Sequence, residues 1–167
     1  MKHLILSSII LLLQLCCTND QISKTESKDE PDTYHVTDDD AEMNDAIRTA
    51  KQTLDKFANA LKSGNKDYQN FALKIRFNAP NGGEHIWVSD ITLKDNNYIG
   101  IVDNTPESTT EVKIGDTIQI VNENISDWMF YENQKLRGGY TLRIIRNRMT
   151  EEERNQFDLE SGLIIED

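Results

Sequence analysis

The spacing of apolar residues changes once along this chain, and that change restricts its fold more than any other feature. Met43, Ala46, Ile47, Ala50, Leu54, Phe57, Ala58 and Leu61 recur at helical spacing. From Tyr68 onward Phe71, Leu73, Ile75 and Phe77 instead alternate with Ala72, Lys74, Arg76 and Asn78. A period near 3.6 puts one apolar stripe on a helix, whereas a period of two puts alternate side chains on one face of a strand. The helix has matching ends. Asp38, Asp39 and Asp40 suit the positive end of its dipole, while Lys62 and Gly64 form a stop signal.

After the switch, turn strings follow at short intervals: Pro80-Asn81-Gly82-Gly83, Asp95-Asn96-Asn97, Lys113-Ile114-Gly115-Asp116 and Glu132-Asn133-Gln134-Lys135. They delimit expected strands at 85–93, 98–102 and 117–121, with a last hairpin formed by 128–131 and 139–145. Thr150 with Glu153 three residues on resembles a capping box for a short helix through Phe157. Strands joined by turns rather than helices pair antiparallel. Ile86, Trp87 and Val88 put apolar groups on both faces of one strand, which calls for a curled sheet or a covering helix. The expected fold is α+β: a bent antiparallel sheet or small open barrel packed against the N-terminal amphipathic helix, with a short C-terminal helix.

The beginning of the chain reads differently. Met1-Lys2-His3 precedes an apolar run at 4–15 that is too short for a bilayer core needing about 20 residues, and fits the apolar region of a secretory signal. Leu15-Cys16-Cys17-Thr18 resembles the box at which bacterial lipoprotein signals are cleaved and acylated. Cys17 has a small neighbour in Cys16 but Gln14 where the box expects Leu. Cys16 has Leu13 in place but bulky Leu15 beside it. Crowding at the cleaved bond is the worse defect, so Cys17 is the expected lipidation site. Two or more acyl chains hold a protein firmly on a membrane. The expected organisation is a lipoprotein-type signal over 1–17, an acidic disordered tether over 18–37 and one domain over 38–167. The expected location is the bacterial cell envelope.

Charge narrows the partners. A formal net charge of -11 is unsuited to nucleic acid, whose phosphates need a surplus of Lys and Arg. Arg143, Arg146 and Arg148 are the densest basic cluster and read as a solvated strand edge. The only two cysteines are adjacent near the start, so the domain has neither a disulfide nor a cysteine metal site. No cofactor motif is present, and one domain histidine with scattered carboxylates makes no metal site. Asp38-Asp39-Asp40 lacks the alternation of a calcium loop and reads as a helix start.

A string of motifs runs through the strand region. It comprises Gly83-Glu84-His85-Ile86-Trp87-Val88, Gly100-Ile101-Val102-Asp103-Asn104-Thr105-Pro106, Lys113-Ile114-Gly115-Asp116, Ile125-Ser126-Asp127-Trp128-Met129 and Gly138-Gly139-Tyr140-Thr141. In this order they resemble the YegJ-like family of bacterial domains of unknown function (family 2314) over about residues 71–146. The resemblance implies no activity, but it directs attention to His85, Trp87, Asn104, Pro106, Asp127 and Trp128.

Among these, His85 with Glu84, Asp127 and Ser126 resembles a general base beside a nucleophile, and no nucleophile-elbow pattern surrounds Ser126. Trp87, Trp128, Tyr131 and Tyr140 are the aromatic mass of the sheet: core, or a shallow face for a peptide, glycan or protein. Asn104-Thr105-Pro106 reads as turn architecture. The expected function is a non-catalytic binding module on the envelope, with His85, Trp87, Asn104, Asp127 and Trp128 as candidate contacts and a protein or peptide as partner. The alternatives are an envelope hydrolase using His85 and Asp127, or an inhibitor that binds a basic toxin.

Overall fold

The computed structural model describes residues 23–25, 33–35, 40–80, 82–95, 97–162 and 164–166. Cys16, Cys17, Asp38 and Asp39 lie outside them. Within the stretch expected as a tether, β1 (Ser23–Thr25) pairs antiparallel with β2 (Thr33–His35).

The amphipathic helix forms in two segments, α1 (Ala41–Gln52) and α2 (Leu54–Ser63). Asp40 caps the start by accepting from the Met43 N–H at 2.9 Å, and Gly64, with φ 61°, ends the second segment in the left-handed region. The break at Thr53 has a tertiary cause. The Trp128 indole N–H donates to the Ala50 carbonyl at 3.0 Å, and the Thr53 hydroxyl donates to the Thr49 carbonyl at 2.8 Å. Donors inserted into the carbonyl ladder kink a helix.

Six strands follow: β3 (Tyr68–Ala79), β4 (Gly82–Lys94), β5 (Asn97–Val102), β6 (Thr117–Ile120), β7 (Ile125–Glu132) and β8 (Lys135–Gly138). Every pair is antiparallel, in the order β6-β5-β4-β3-β7-β8, so the sheet stays open with β6 and β8 at opposite edges. Asn70 and Asp90, with φ 54° and 51°, sit at register shifts in β3 and β4. Such bulges bend a sheet. Gly100 lies opposite the second shift, where a Cβ would come within 2.7 Å of the Ser89 carbonyl oxygen.

The helix pair covers one face. Phe57 is fully buried among Phe71, Tyr98 and Trp128, and Ala50 and Ala60 join Leu73, Ile75, Val88 and Ile125 in the same cluster. Burial of a side chain such as Phe57 stabilises by about 1.5–3 kcal/mol.

The last hairpin differs from expectation. Its second strand is β8, and the stretch 139–145 is not a strand but the start of α3 (Tyr140–Arg148). Gly138 and Gly139 take φ of 74° and 64°, which turns the chain out of the sheet before Tyr140. The arginines are therefore helical rather than a strand edge, and each is engaged. Arg143 donates to the Gly138 and Leu136 carbonyls, Arg146 holds Asp158, and Arg148 holds Asp40 and Glu42. The final helix, α4 (Glu151–Ser161), starts with the expected capping box of Thr150 and Glu153.

Candidate functional site

Alternation along β3 and β4 puts Leu73 and Val88 under the helices and turns Lys74, Arg76, His85 and Trp87 to the opposite face. Across three strands the register forms a row, Trp87–Lys74–Asp127, with His85 opposite Arg76 beside it. On this face Arg76 is exposed, while Lys74, His85 and Trp87 are half-buried. The Lys74 ammonium lies 5.5 Å from the centre of the Trp87 ring, within range of a cation–π contact.

Ser126 is the extra residue of a bulge in β7, because Lys74 pairs with Asp127 while Ile75 pairs with Ile125. Its hydroxyl donates to the Lys74 carbonyl at 3.1 Å and lies 2.7 Å from His85 Nδ1. With its hydroxyl hydrogen directed to Lys74 O, Ser126 accepts from the His85 tautomer that is protonated at Nδ1. Ser126 is 1% exposed. A nucleophile needs an accessible oxygen, and Ser126 is enclosed.

Asp127 is wholly buried and its carboxylate is saturated. One oxygen accepts from the Trp128 and Tyr140 N–H groups at 2.8 and 3.2 Å; the other accepts from the Thr141 N–H and hydroxyl at 2.8 and 2.7 Å. Asp127 thus caps α3 from a neighbouring strand. Burial pushes its carboxyl above the ordinary value, opposed by the Thr141 hydrogen bonds and the Lys74 charge. Burial also pulls Lys74 below its ordinary value, against the attraction of Asp127. His85 and Asp127, joined in the alternative hydrolase reading, make separate hydrogen bonds, His85 with Ser126 and Asp127 with Thr141.

Trp128 is not a surface contact. It is 3% exposed, stacks with Phe130 at 6.0 Å and meets the Tyr140 ring edge at 5.7 Å. Asn104 is half-buried in the loop 103–116. That loop is fastened by Glu84, whose carboxylate accepts from the N–H groups of Glu107, Ser108 and Thr109 at 2.7, 3.0 and 2.7 Å. Asp103 N–H donates to the Trp87 carbonyl, and Gly115 N–H to the Val102 carbonyl.

The motifs therefore meet in pairs. The segment 125–129 joins 138–141 through Asp127, and 83–88 joins the loop after Val102 through Glu84. Lys74 and Thr141 were missed as organising residues, and Glu84, read as a neighbour of His85, instead fastens the loop. A lysine at an outward strand position and a glutamate at a strand start have no local signature of their distant partners. Among the described residues no group of three or more His, Cys, Asp or Glu could hold a metal ion. No helix among them is long and apolar enough to cross a membrane.

Residues 40–165 match the model of a family described as an uncharacterized protein conserved in bacteria (DUF2314). The uncharacterized protein YegJ of Escherichia coli strain K12 is 37% identical over 100 residues, which is 60% of this chain and 64% of that protein. A putative ankyrin repeat protein of Neisseria meningitidis serogroup B is 38% identical over 80 residues, 48% of this chain and 32% of that one. The chain thus spans less than two thirds of the length of either relative. No solved structure matches.

Proposed function

This chain belongs to the bacterial DUF2314 family, and from that premise we propose that its domain is a non-catalytic binding module displayed on the cell envelope by a lipid on Cys17. The observation that carries the reading is the engagement of the reactive groups. Both Asp127 oxygens are spent on α3 and its neighbours, and the enclosed Ser126 hydroxyl donates a hydrogen bond to a backbone carbonyl. The face turned away from α1 and α2, which the first turn of α3 meets at Asp127 and Lys74, retains a half-buried Trp87 and His85 beside an exposed Arg76. A half-exposed aromatic flanked by polar groups is a favourable anchor for a protein or peptide. The match to the Neisseria protein covers only 32% of that longer chain, which suits a domain that can be carried as a unit.

The test is Trp87→Ala in otherwise folded protein, followed by cross-linking in envelope fractions. At least one cross-linked partner should disappear, while His85→Ala should preserve or only weaken the same contact. Retention of every partner by Trp87→Ala removes the reading. The anchor is tested separately by metabolic labelling with a fatty acid, which should mark the natural chain and not Cys17→Ala. A chain retaining its first seventeen residues, with Cys17 unmodified, overturns the envelope placement.

A further inference from the structure

We propose that the outer edge of β6 is a self-association surface, on which a second copy of this chain adds its own β6 antiparallel and joins the two sheets. The inner edge of β6 is occupied by β5, with Ile118 opposite Gly100 and Ile120 opposite Tyr98, and Val102 N–H donating to the Asp116 carbonyl. In an antiparallel ladder hydrogen-bonded positions alternate, so Asp116, Ile118 and Ile120 direct their backbone groups to β5 and Thr117 and Gln119 direct theirs outward. Among the described residues no strand pairs with that outer side.

The opposite edge of the sheet is guarded. Ile164 bridges to Lys135, exchanging bonds with the Leu136 N–H and the Gln134 carbonyl, and Lys135 and Arg137 form ion pairs with Glu166. Charge and a covering segment are the usual protections of an edge. β6 has neither. Residues 117–122 contain no charge and no proline. Two of the few exposed large apolar side chains sit at its ends, Ile114 at 53% and Val121 at 56%.

The strand also complements itself. A two-fold axis through Ile118 sets Thr117 against Gln119 of the second copy, so the outward groups bond each other. Asp116 then faces Ile120, and each Val121 reaches the end that carries the other copy's Ile114. No like charges are opposed, and apolar ends meet apolar ends. A net charge of -11 on each copy repels at long range, so salt should strengthen the contact.

Sedimentation of the full chain in density-matched detergent tests this at low and high salt. The mass should rise toward twice the monomer with concentration, and more readily at high salt. Val121→Lys and Thr117→Lys should both remain monomeric, whereas Leu159→Lys on α4 should behave as the natural chain. Two edge variants are used so that one misfolded protein, recognised by circular dichroism, does not remove the test. A natural chain that stays monomeric at every concentration and salt overturns the proposal. So does a dimer indifferent to both edge variants, or a monomer whose Thr117 and Gln119 amides are protected from exchange by some other occupant.

Discussion

Thr141 binds Asp127 twice, through its backbone N–H at 2.8 Å and its hydroxyl at 2.7 Å, from 14 positions further along the chain. The first helical turn after β8 thus rests on a carboxylate from β7. Removing that carboxylate leaves the Trp128, Tyr140 and Thr141 N–H groups without their acceptor. Each unsatisfied buried group costs about 1–3 kcal/mol, and loss of a cap about 0.5–2 kcal/mol. Asp127→Ala should lower stability by about 2–4 kcal/mol in urea unfolding, with m unchanged. Asp127→Asn should be milder, because an amide oxygen still accepts on one side.

Gly138 and Gly64 have similar positive φ but different surroundings. A Cβ at Gly138 would lie 2.2 Å from the Trp128 carbonyl oxygen and 2.5 Å from its ring; one at Gly64 meets nothing within 4 Å. Gly64→Ala should therefore show only the left-handed backbone penalty of about 1–2 kcal/mol. Gly138→Ala should cost clearly more and shift the Trp128 fluorescence. Equal unfolding midpoints for the two variants would contradict this account.

Asp40 ties the start of α1 to the end of α3. The Arg148 guanidinium bonded to it holds its carboxyl at about 2, below the ordinary 3.8. A carboxyl whose folded pKa is depressed stabilises above its unfolded pKa and loses that contribution as pH falls through the folded one. The Asp40 contribution should be complete above about pH 4 and vanish as pH falls toward about 2. Asp127 acts with the opposite sign, since its folded pKa is raised. Comparison of the natural chain with Asp40→Asn isolates the first effect. The stability difference between them, about 1 kcal/mol at pH 6 after solvent screening, should shrink steadily toward pH 2.

The helix α4 contributes no buried side chain, and Arg146 grips its Asp158 with bonds of 2.8 and 2.7 Å. Arg146→Ala should loosen α4 without unfolding the sheet. Amide exchange along 151–161 should accelerate by about tenfold or more, while the amides of β3 and β4 keep their protection. Uniform acceleration throughout the domain would mean that Arg146 supports the core instead.

Local signals were legible wherever cause and effect lie within one turn. Asp40 caps Met43, Gly64 stops α2, Thr150 and Glu153 close on each other, and the alternation of β3 follows its apolar residues. The candidate site was half legible. Trp87 and His85 belong to the face away from α1 and α2, as alternation implies. Trp128 and Asp127 were equally prominent as residue types, yet they belong to the core and to a helix cap.

The amino-acid order alone determined the mixed class, the antiparallel sheet and the acidic character, because periodicity, turn residues and charge act over a few positions. The tertiary structure alone decided that Tyr140-Thr141-Leu142-Arg143-Ile144-Ile145 is a helix. Its β-branched and aromatic composition favours a strand, but paired glycines turn it off the sheet and Asp127 caps its exposed N–H groups. That donor set is completed by a residue on another strand, and a contact across the fold has no trace in the neighbouring sequence.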